Sequence, residues 1–216
     1  MCAGRTLTYA EMDELSRRFG AWLQKEAGLR KGDRIAIMMP NLLQYPIALF
    51  GVLRAGMTVV NVNPLYTARE LEHQLKDSGA ETLVILDHLL PRFLEVEGET
   101  PVKRTVVTGI KDFLPFPKNL LYPLKAKRDK LPLGFPKREG FHAFSDLLRH
   151  PPATPHPADP EDLALLQYTG GTTGISKGAM LTHRNLVANV LQIDAWDSTS
   201  KELLGKGVML GALPFF

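Results

Sequence analysis

The run Gln167-Tyr168-Thr169-Gly170-Gly171-Thr172-Thr173-Gly174-Ile175-Ser176-Lys177-Gly178 gathers glycines, hydroxyls and one ammonium directly after the apolar stretch Leu163-Ala164-Leu165-Leu166. Those residue types suit one task, the holding of a polyphosphate. Backbone N–H groups and threonine hydroxyls donate to phosphate oxygens, and glycines let the backbone come close where a Cβ would block it. Lys177 adds a full charge; at about 4 Å and an effective dielectric near 20, one such pair is worth roughly 4 kcal/mol before desolvation. The nucleotide-binding loop of kinases and GTPases is excluded by order and spacing. It requires Gly-Lys followed by Ser or Thr, whereas this chain reads Ser176-Lys177-Gly178. The remaining alternative is a glycine-rich surface turn. It is the poorer reading, because the glycines, threonines and lysine crowd together immediately behind an apolar strand.

The elements that must position this loop are legible from local signals. Thr8 with Glu11 forms a capping box, and Met12, Leu15, Phe19 and Trp22 then share one helical face. Gly28 closes that helix. Lys31-Gly32-Asp33 turns into a strand from Arg34 to Met39, a helix follows over Gln44 to Arg54, and Thr58 to Val62 is the next strand. Thr67 with Glu70 repeats the capping box, and Gly79 stops the helix. A strand over Thr82 to Leu86, a short helix near Leu89 to Glu95, and a strand over Thr105 to Thr108 come next. Thr182 caps a helix running to Trp196, and Val208 to Leu213 is a last strand. Alternating helices and short apolar strands predict an α/β fold with a mostly parallel sheet. In such a sheet ligands bind at the carboxyl ends of strands, where the glycine-rich loop would sit. Asn61 and Asn63-Pro64 are expected to shape a turn, and His183 and Arg184 to cap and decorate the last helix.

Composition narrows the classes. The 216 residues carry a net charge of +3 and a single cysteine, Cys2, which rules out a disulfide framework and a cysteine metal site. The histidines show no ligand-like spacing, and no metal-ligating residues are singled out. No apolar run is long enough to span a membrane and no charged-then-apolar leader opens the chain, so a soluble cytoplasmic protein is the expectation. The abrupt start before a helix and the apolar end Leu213-Pro214-Phe215-Phe216 read as a piece of something longer.

Residues 111–160 read as a variable, basic, proline-rich insertion. From Lys103 to Arg138 ten Lys or Arg face only Asp112 and Asp129, a local charge of +8 that leaves −5 for the rest. Phe113, Phe116, Leu120, Leu121, Tyr122 and Leu124 interleave with these cations. Peripheral contact with an anionic membrane surface through residues 103–138 is one reading; a solvated insertion is the other. Nothing else supports a nucleic-acid partner.

Four stretches together resemble the adenylate-forming superfamily of acyl-CoA synthetases, luciferases and adenylation domains, and within it the bacterial long-chain fatty acid–CoA ligases. They are Leu7-Thr8-Tyr9; Lys31-Gly32-Asp33-Arg34 with Met39 to Pro46; Arg54-Ala55-Gly56 with Val60 to Thr67; and Tyr168 to Asn185. The resemblance implies an incomplete N-terminal domain over residues 1–216, with the C-terminal domain absent. It also implies a two-step ligase. A fatty acid carboxylate attacks the α-phosphate of ATP, with Mg2+, to give acyl-adenylate and pyrophosphate; coenzyme A thiol then displaces AMP. Tyr168, Thr169, Gly170, Gly171, Thr172, Thr173, Gly174, Lys177 and Gly178 match the family's phosphate-binding motif. No catalytic residue is assigned, because the adenine, ribose, magnesium and coenzyme A residues of the family are expected beyond Phe216. Many superfamily members carry Ser at the position of Gly170 and Pro at that of Ser176; the Gly-Gly form is similar to the bacterial fatty-acyl branch. Ligation of another carboxylic acid, and a nucleotide-binding fragment without turnover, are the competing readings. Location at the inner face of the cell membrane would follow from the basic segment.

Overall fold

The computed structural model describes residues 2–169, 176–196, 211, 213 and 214. Seven strands form one sheet: β1 (Arg34–Met38), β2 (Thr58–Asn61), β3 (Thr82–Leu86), β4 (Arg104–Thr108), β5 (Phe141–Ala143), β6 (Leu163–Thr169) and β7 (Lys177–Thr182). Their order is β5-β4-β3-β1-β2-β6-β7. Every neighbouring pair is parallel except β6 and β7, which run antiparallel. The carboxyl ends of β1 to β6 therefore all lie along one edge.

The helices are α1 (Tyr9–Lys25), α2 (Gln44–Arg54), α3 (Ala68–Ser78), α4 (Leu90–Leu94), α5 (Lys118–Arg128), α6 (Phe144–Leu147) and α7 (His183–Trp196). Both expected capping boxes form, Thr8 with Glu11 on α1 and Thr67 with Glu70 on α3. Gly79 ends α3 in the left-handed conformation, φ 62°, which a side chain would disfavour. Central strands are buried on both faces, as parallel strands covered by helices must be.

Two apolar layers sandwich the sheet. On one face Phe19, Trp22 and Leu23 of α1 and Ile47, Ala48 and Val52 of α2 pack against Ile35, Ile37, Val59 and Val84. On the other, Leu71 and Leu75 of α3 and Phe93 of α4 meet Met38, Val60, Leu83, Leu166 and Tyr168. Helices α1 and α2 approach closely through glycines: a Cβ on Gly51 would stand 2.7 Å from Cδ1 of Phe19 and 3.0 Å from the Ser16 carbonyl.

The insertion is more ordered than its prolines suggest. It contains α5, the short edge strand β5 and α6, and Phe144 buries its ring 5.0 Å from that of Phe19. Strand β7 is a further departure from the expected loop-to-helix path. It is largely exposed, and its order comes from the backbone ladder to β6 rather than from burial. The strand expected over Val208 to Leu213 lies mostly outside the described residues; within that stretch, the Asn41 amide donates to the carbonyls of Gly211 (3.2 Å) and Leu213 (2.7 Å).

Candidate phosphate-loop site

Strands β6 and β7 clamp the glycine-rich loop at both ends. Thr169 pairs with Lys177, Tyr168 with Gly178, and Gln167 with Ala179. The loop thus leaves the carboxyl end of β6 and returns through an antiparallel partner. Of the residues matched to the phosphate-binding motif, Tyr168, Thr169, Lys177 and Gly178 are described; Gly170, Gly171, Thr172, Thr173 and Gly174 lie outside the described residues.

Alternation along the strands divides the described four between the two faces of the sheet. The ring of Tyr168 turns into the α3 side, where its hydroxyl donates to Oδ2 of Asp77 at 2.5 Å. Burial, then the bond to Asp77 and its negative charge, push the Tyr168 hydroxyl far above its ordinary pKa. It stays protonated and remains a donor. Gly178, paired opposite, leaves room for this ring: a Cβ there would fall 3.0 Å from Cε2 and 3.1 Å from Cζ of Tyr168. Tyr168 and Gly178 therefore anchor the base of the hairpin. Thr169 and Lys177 are exposed and point to the opposite face, toward α2. Ser176 closes the base, its hydroxyl donating to the Thr169 carbonyl (3.2 Å) and lying 3.4 Å from the Tyr66 hydroxyl.

On the face shared with Lys177, a polar chain that starts in the core and ends half-buried at Gln167 crosses three elements. The Tyr45 hydroxyl of α2 donates to Oδ1 of Asn61 (2.8 Å), and Nδ2 of Asn61 donates to Oε1 of Gln167 (2.9 Å). Gln74 of α3 adds a bond to the Asn61 carbonyl at 2.6 Å. Burial, opposed by the bond to Asn61, pushes the Tyr45 hydroxyl up to about 12. Asn61 is thus no turn residue. It is a sheet residue that ties β2 to β6 at Gln167, two residues before β6 ends at Thr169. Asn63 does shape the turn, accepting from the Leu65 N–H at 2.9 Å. Beside this chain lies a groove of about 430 Å³ lined by Pro46, Leu49, Phe50 and Leu53 of α2, Leu165 of β6 and Leu186 of α7.

Thr182 and Asn185 cap α7 reciprocally, Thr182 N–H to Oδ1 of Asn185 at 2.9 Å and Asn185 N–H to the Thr182 hydroxyl at 3.3 Å. His183 and Arg184 serve the helix start: their N–H groups donate to the carbonyls of Asp162 and Pro160, and Arg184 pairs with Glu161. Among the described residues, no group of three His, Cys, Asp or Glu side chains could hold a metal ion, and no helix is long and apolar enough to cross a membrane.

The model of the AMP-binding enzyme family matches residues 1–216. This chain belongs to that family. It is 48% identical over 99% of its length to a long-chain-fatty-acid–CoA ligase of Escherichia coli O157:H7, and 43% identical over the same share to one of Bacillus subtilis. In each case it spans 38% of the relative's length. Among solved structures it resembles the long-chain-fatty-acid-CoA ligase FadD1 of Archaeoglobus fulgidus, with a TM-score of 0.69 and 30% identity over 89% of this chain and 34% of that one. The α/β fold expected from the strand and helix signals is the one these enzymes share. The family assignment agrees with the motifs quoted from the sequence.

Proposed function

We propose that this chain is the amino-terminal part of an AMP-forming long-chain fatty acid–CoA ligase, and that its β6–β7 loop holds the phosphates of ATP. The carrying observation is the hairpin clamp. Thr169 and Lys177 stand opposite each other on one exposed face, at the carboxyl edge of the sheet, with Tyr168 and Gly178 pinned beneath them. The chain's identity to long-chain ligases in two bacteria supports the substrate class.

The proposed site comprises Thr169, Gly170, Gly171, Thr172, Thr173, Gly174 and Lys177 toward phosphate, with Tyr168 and Gly178 fixing the hairpin that carries them. The fatty acid carboxylate forms a bond to the α-phosphorus while the bond to the bridging oxygen breaks and pyrophosphate leaves. Coenzyme A thiol then forms the thioester, loses its proton and releases AMP. A carboxylate is a weak nucleophile, so the protein's contribution is positioning and neutralisation of the departing phosphate charge. Lys177 supplies that charge from a strand rather than a free loop, which limits the reorganisation needed when pyrophosphate leaves. Mg2+ accompanies the nucleotide, and none of the described residues is assigned to it. The domain reading of an incomplete amino-terminal domain over residues 1–216, with 111–160 as its basic insertion, belongs to the same proposal. So do a cytoplasmic location and peripheral contact of the basic segment with the inner face of the membrane.

Lys177→Ala in the full-length ligase tests the phosphate role. Removing one preorganised cation from a transferring phosphoryl group costs about 10²-fold in rate. Adenylation, followed by acid-dependent ATP–pyrophosphate exchange, should fall by that order with the unfolding midpoint unchanged. Exchange at the wild-type rate would remove Lys177 from the site.

A further inference from the structure

The basic stretch is not one surface. Lys103 pairs with Glu81 and Arg138 with Glu97, both at the amino edge of the sheet. Lys118, Lys125, Lys127 and Arg128 sit instead on α5, at the opposite edge. Helix α5 is held there by Tyr122, whose hydroxyl lies 3.1 Å from Nε2 of His88, the second residue after β3. Asn119, Tyr122, Pro123 and Ala126 turn inward, spaced as one helical face. The outward face carries Leu120, Leu121 and Leu124, which are 66%, 56% and 69% exposed, with Phe116 just before the helix 78% exposed. At 100° per residue, Lys118 and Lys125 flank this stripe on one side and Lys127 on the other, with Arg128 continuing it. An apolar stripe bordered by cations, and turned away from the core, has the form of a helix that lies in a lipid headgroup layer.

Resting on the proposed ligase reading, we infer that α5 docks the enzyme on an anionic bilayer with the carboxyl edge of the sheet, and hence the phosphate loop, turned toward the lipid. The parallel register puts the anchor of α5 and the strand that leads into the loop at the same edge of the sheet. His88 stands just past the end of β3 and Thr169 ends β6 along the same edge, with β1 and β2 between them. Three strand spacings of about 4.8 Å separate the two positions by roughly 14 Å in the plane of the sheet. Leu65, 80% exposed in the turn after β2, lies on the edge between them. A substrate that resides in lipid would meet the enzyme on the side where its carboxylate reacts. The occupant is assigned to lipid by charge complementarity: α5 bears four cations and no acidic side chain, and although Arg128 pairs with Asp129 just past the helix end, Lys118, Lys125 and Lys127 have no ion pair among the described residues.

The test is vesicle sedimentation of the full-length ligase, with acid-dependent pyrophosphate exchange on dissolved octanoate run beside it. Vesicles containing phosphatidylglycerol should bind, and phosphatidylcholine vesicles should not. Lys125→Glu with Lys127→Glu should weaken binding by at least about 25-fold, at roughly fivefold per cation lost. Leu120→Ser, Leu121→Ser and Leu124→Ser together should abolish it, with exchange on dissolved octanoate unchanged in both variants. For orientation, a fluorophore at Leu121→Cys, in a Cys2→Ser background, should be quenched by a lipid-borne quencher, whereas one at Lys103→Cys should not. Equal quenching at both positions, binding indifferent to lipid charge, or capture by polyglutamate without vesicle binding would each overturn the inference. Loss of exchange with vesicle binding intact would instead count against the ligase reading alone.

Discussion

Gly178→Ala is the perturbation whose cost can be worked from the hairpin itself. The added methyl would stand 3.0 Å from Cε2, 3.1 Å from Cζ and 3.4 Å from the hydroxyl oxygen of Tyr168. Carbon atoms in contact prefer about 3.5–4.0 Å, so the ring must move by roughly half an ångström or more. It has little freedom to do so. Tyr168 is only 9% exposed, and its hydroxyl is held by Asp77 at 2.5 Å. Overpacking of this kind costs about 1–3 kcal/mol, and stretching a bond to a charged acceptor adds to it. Because Asp77 is exposed and water can replace part of that bond, a net loss of about 2 kcal/mol is expected, or roughly 30-fold in the folding equilibrium. Urea unfolding of the full-length ligase should show a lower midpoint at constant slope. Replacing the ring should relieve the clash, so Gly178→Ala combined with Tyr168→Val should cost less than the two single changes added together. Pyrophosphate exchange should fall in Gly178→Ala, because the displaced ring carries Thr169 and Lys177 with it. A loss below about 0.5 kcal/mol, or strict additivity in the double variant, would refute the claim that Tyr168 and Gly178 pin the hairpin.

Three further variants test contacts in the core, beneath the loop and at a helix cap. Gly51→Ala should destabilise by about 2 kcal/mol in thermal or urea unfolding, since its Cβ would meet the Phe19 ring at 2.7 Å and force α1 from α2. Asn61→Ala should cost about 2 kcal/mol and lower exchange as well, because the bonds to Tyr45 and Gln167 that tie β2 to β6 are lost; an unchanged urea midpoint would contradict that role. Thr67→Ala should cost about 1 kcal/mol by removing the α3 cap. The same box gives a pH signature. Hydrogen bonds from the Thr67 backbone and hydroxyl hold the Glu70 carboxyl below its ordinary 4.5, so its contribution is complete above about pH 4.5 and fades as the pH falls through the lower folded value. The difference in stability between wild type and Thr67→Ala should narrow over that acid range; a constant difference would sink the assignment.

The sequence disclosed those elements whose causes are local. Thr8 with Glu11, Thr67 with Glu70, and the glycine at 79 announce helix ends within a few residues, and the helices start and stop there. Five-residue apolar runs such as Thr82–Leu86 are short, bounded and buried on both faces, so they read as parallel strands. Helix α5 was hidden by Pro123, which breaks the helical pattern on paper. Lying six residues into the helix on its inward face, Pro123 removes only one intrahelical donor. Strand β5 is three residues long, too short for any periodicity to register. Strand β7 has no buried face to create a pattern; its partner strand supplies its order. At the site, the chemistry of the loop was legible because glycine, hydroxyl and lysine occur together in one stretch. The supports beneath it were not. Tyr168 and Asp77 are 91 residues apart and Asn61 and Gln167 are 106 apart, and no local signal announces a bond between such residues.

On the ligase reading, strands β6 and β7 carry the phosphate-holding loop of a fatty acid-activating enzyme. The most direct measurement is acid-dependent ATP–pyrophosphate exchange by the full-length ligase across octanoate to oleate. Exchange should require added acid and rise with chain length. A folded enzyme that exchanges with no fatty acid, or that prefers an aryl or amino acid, would overturn the ligase reading.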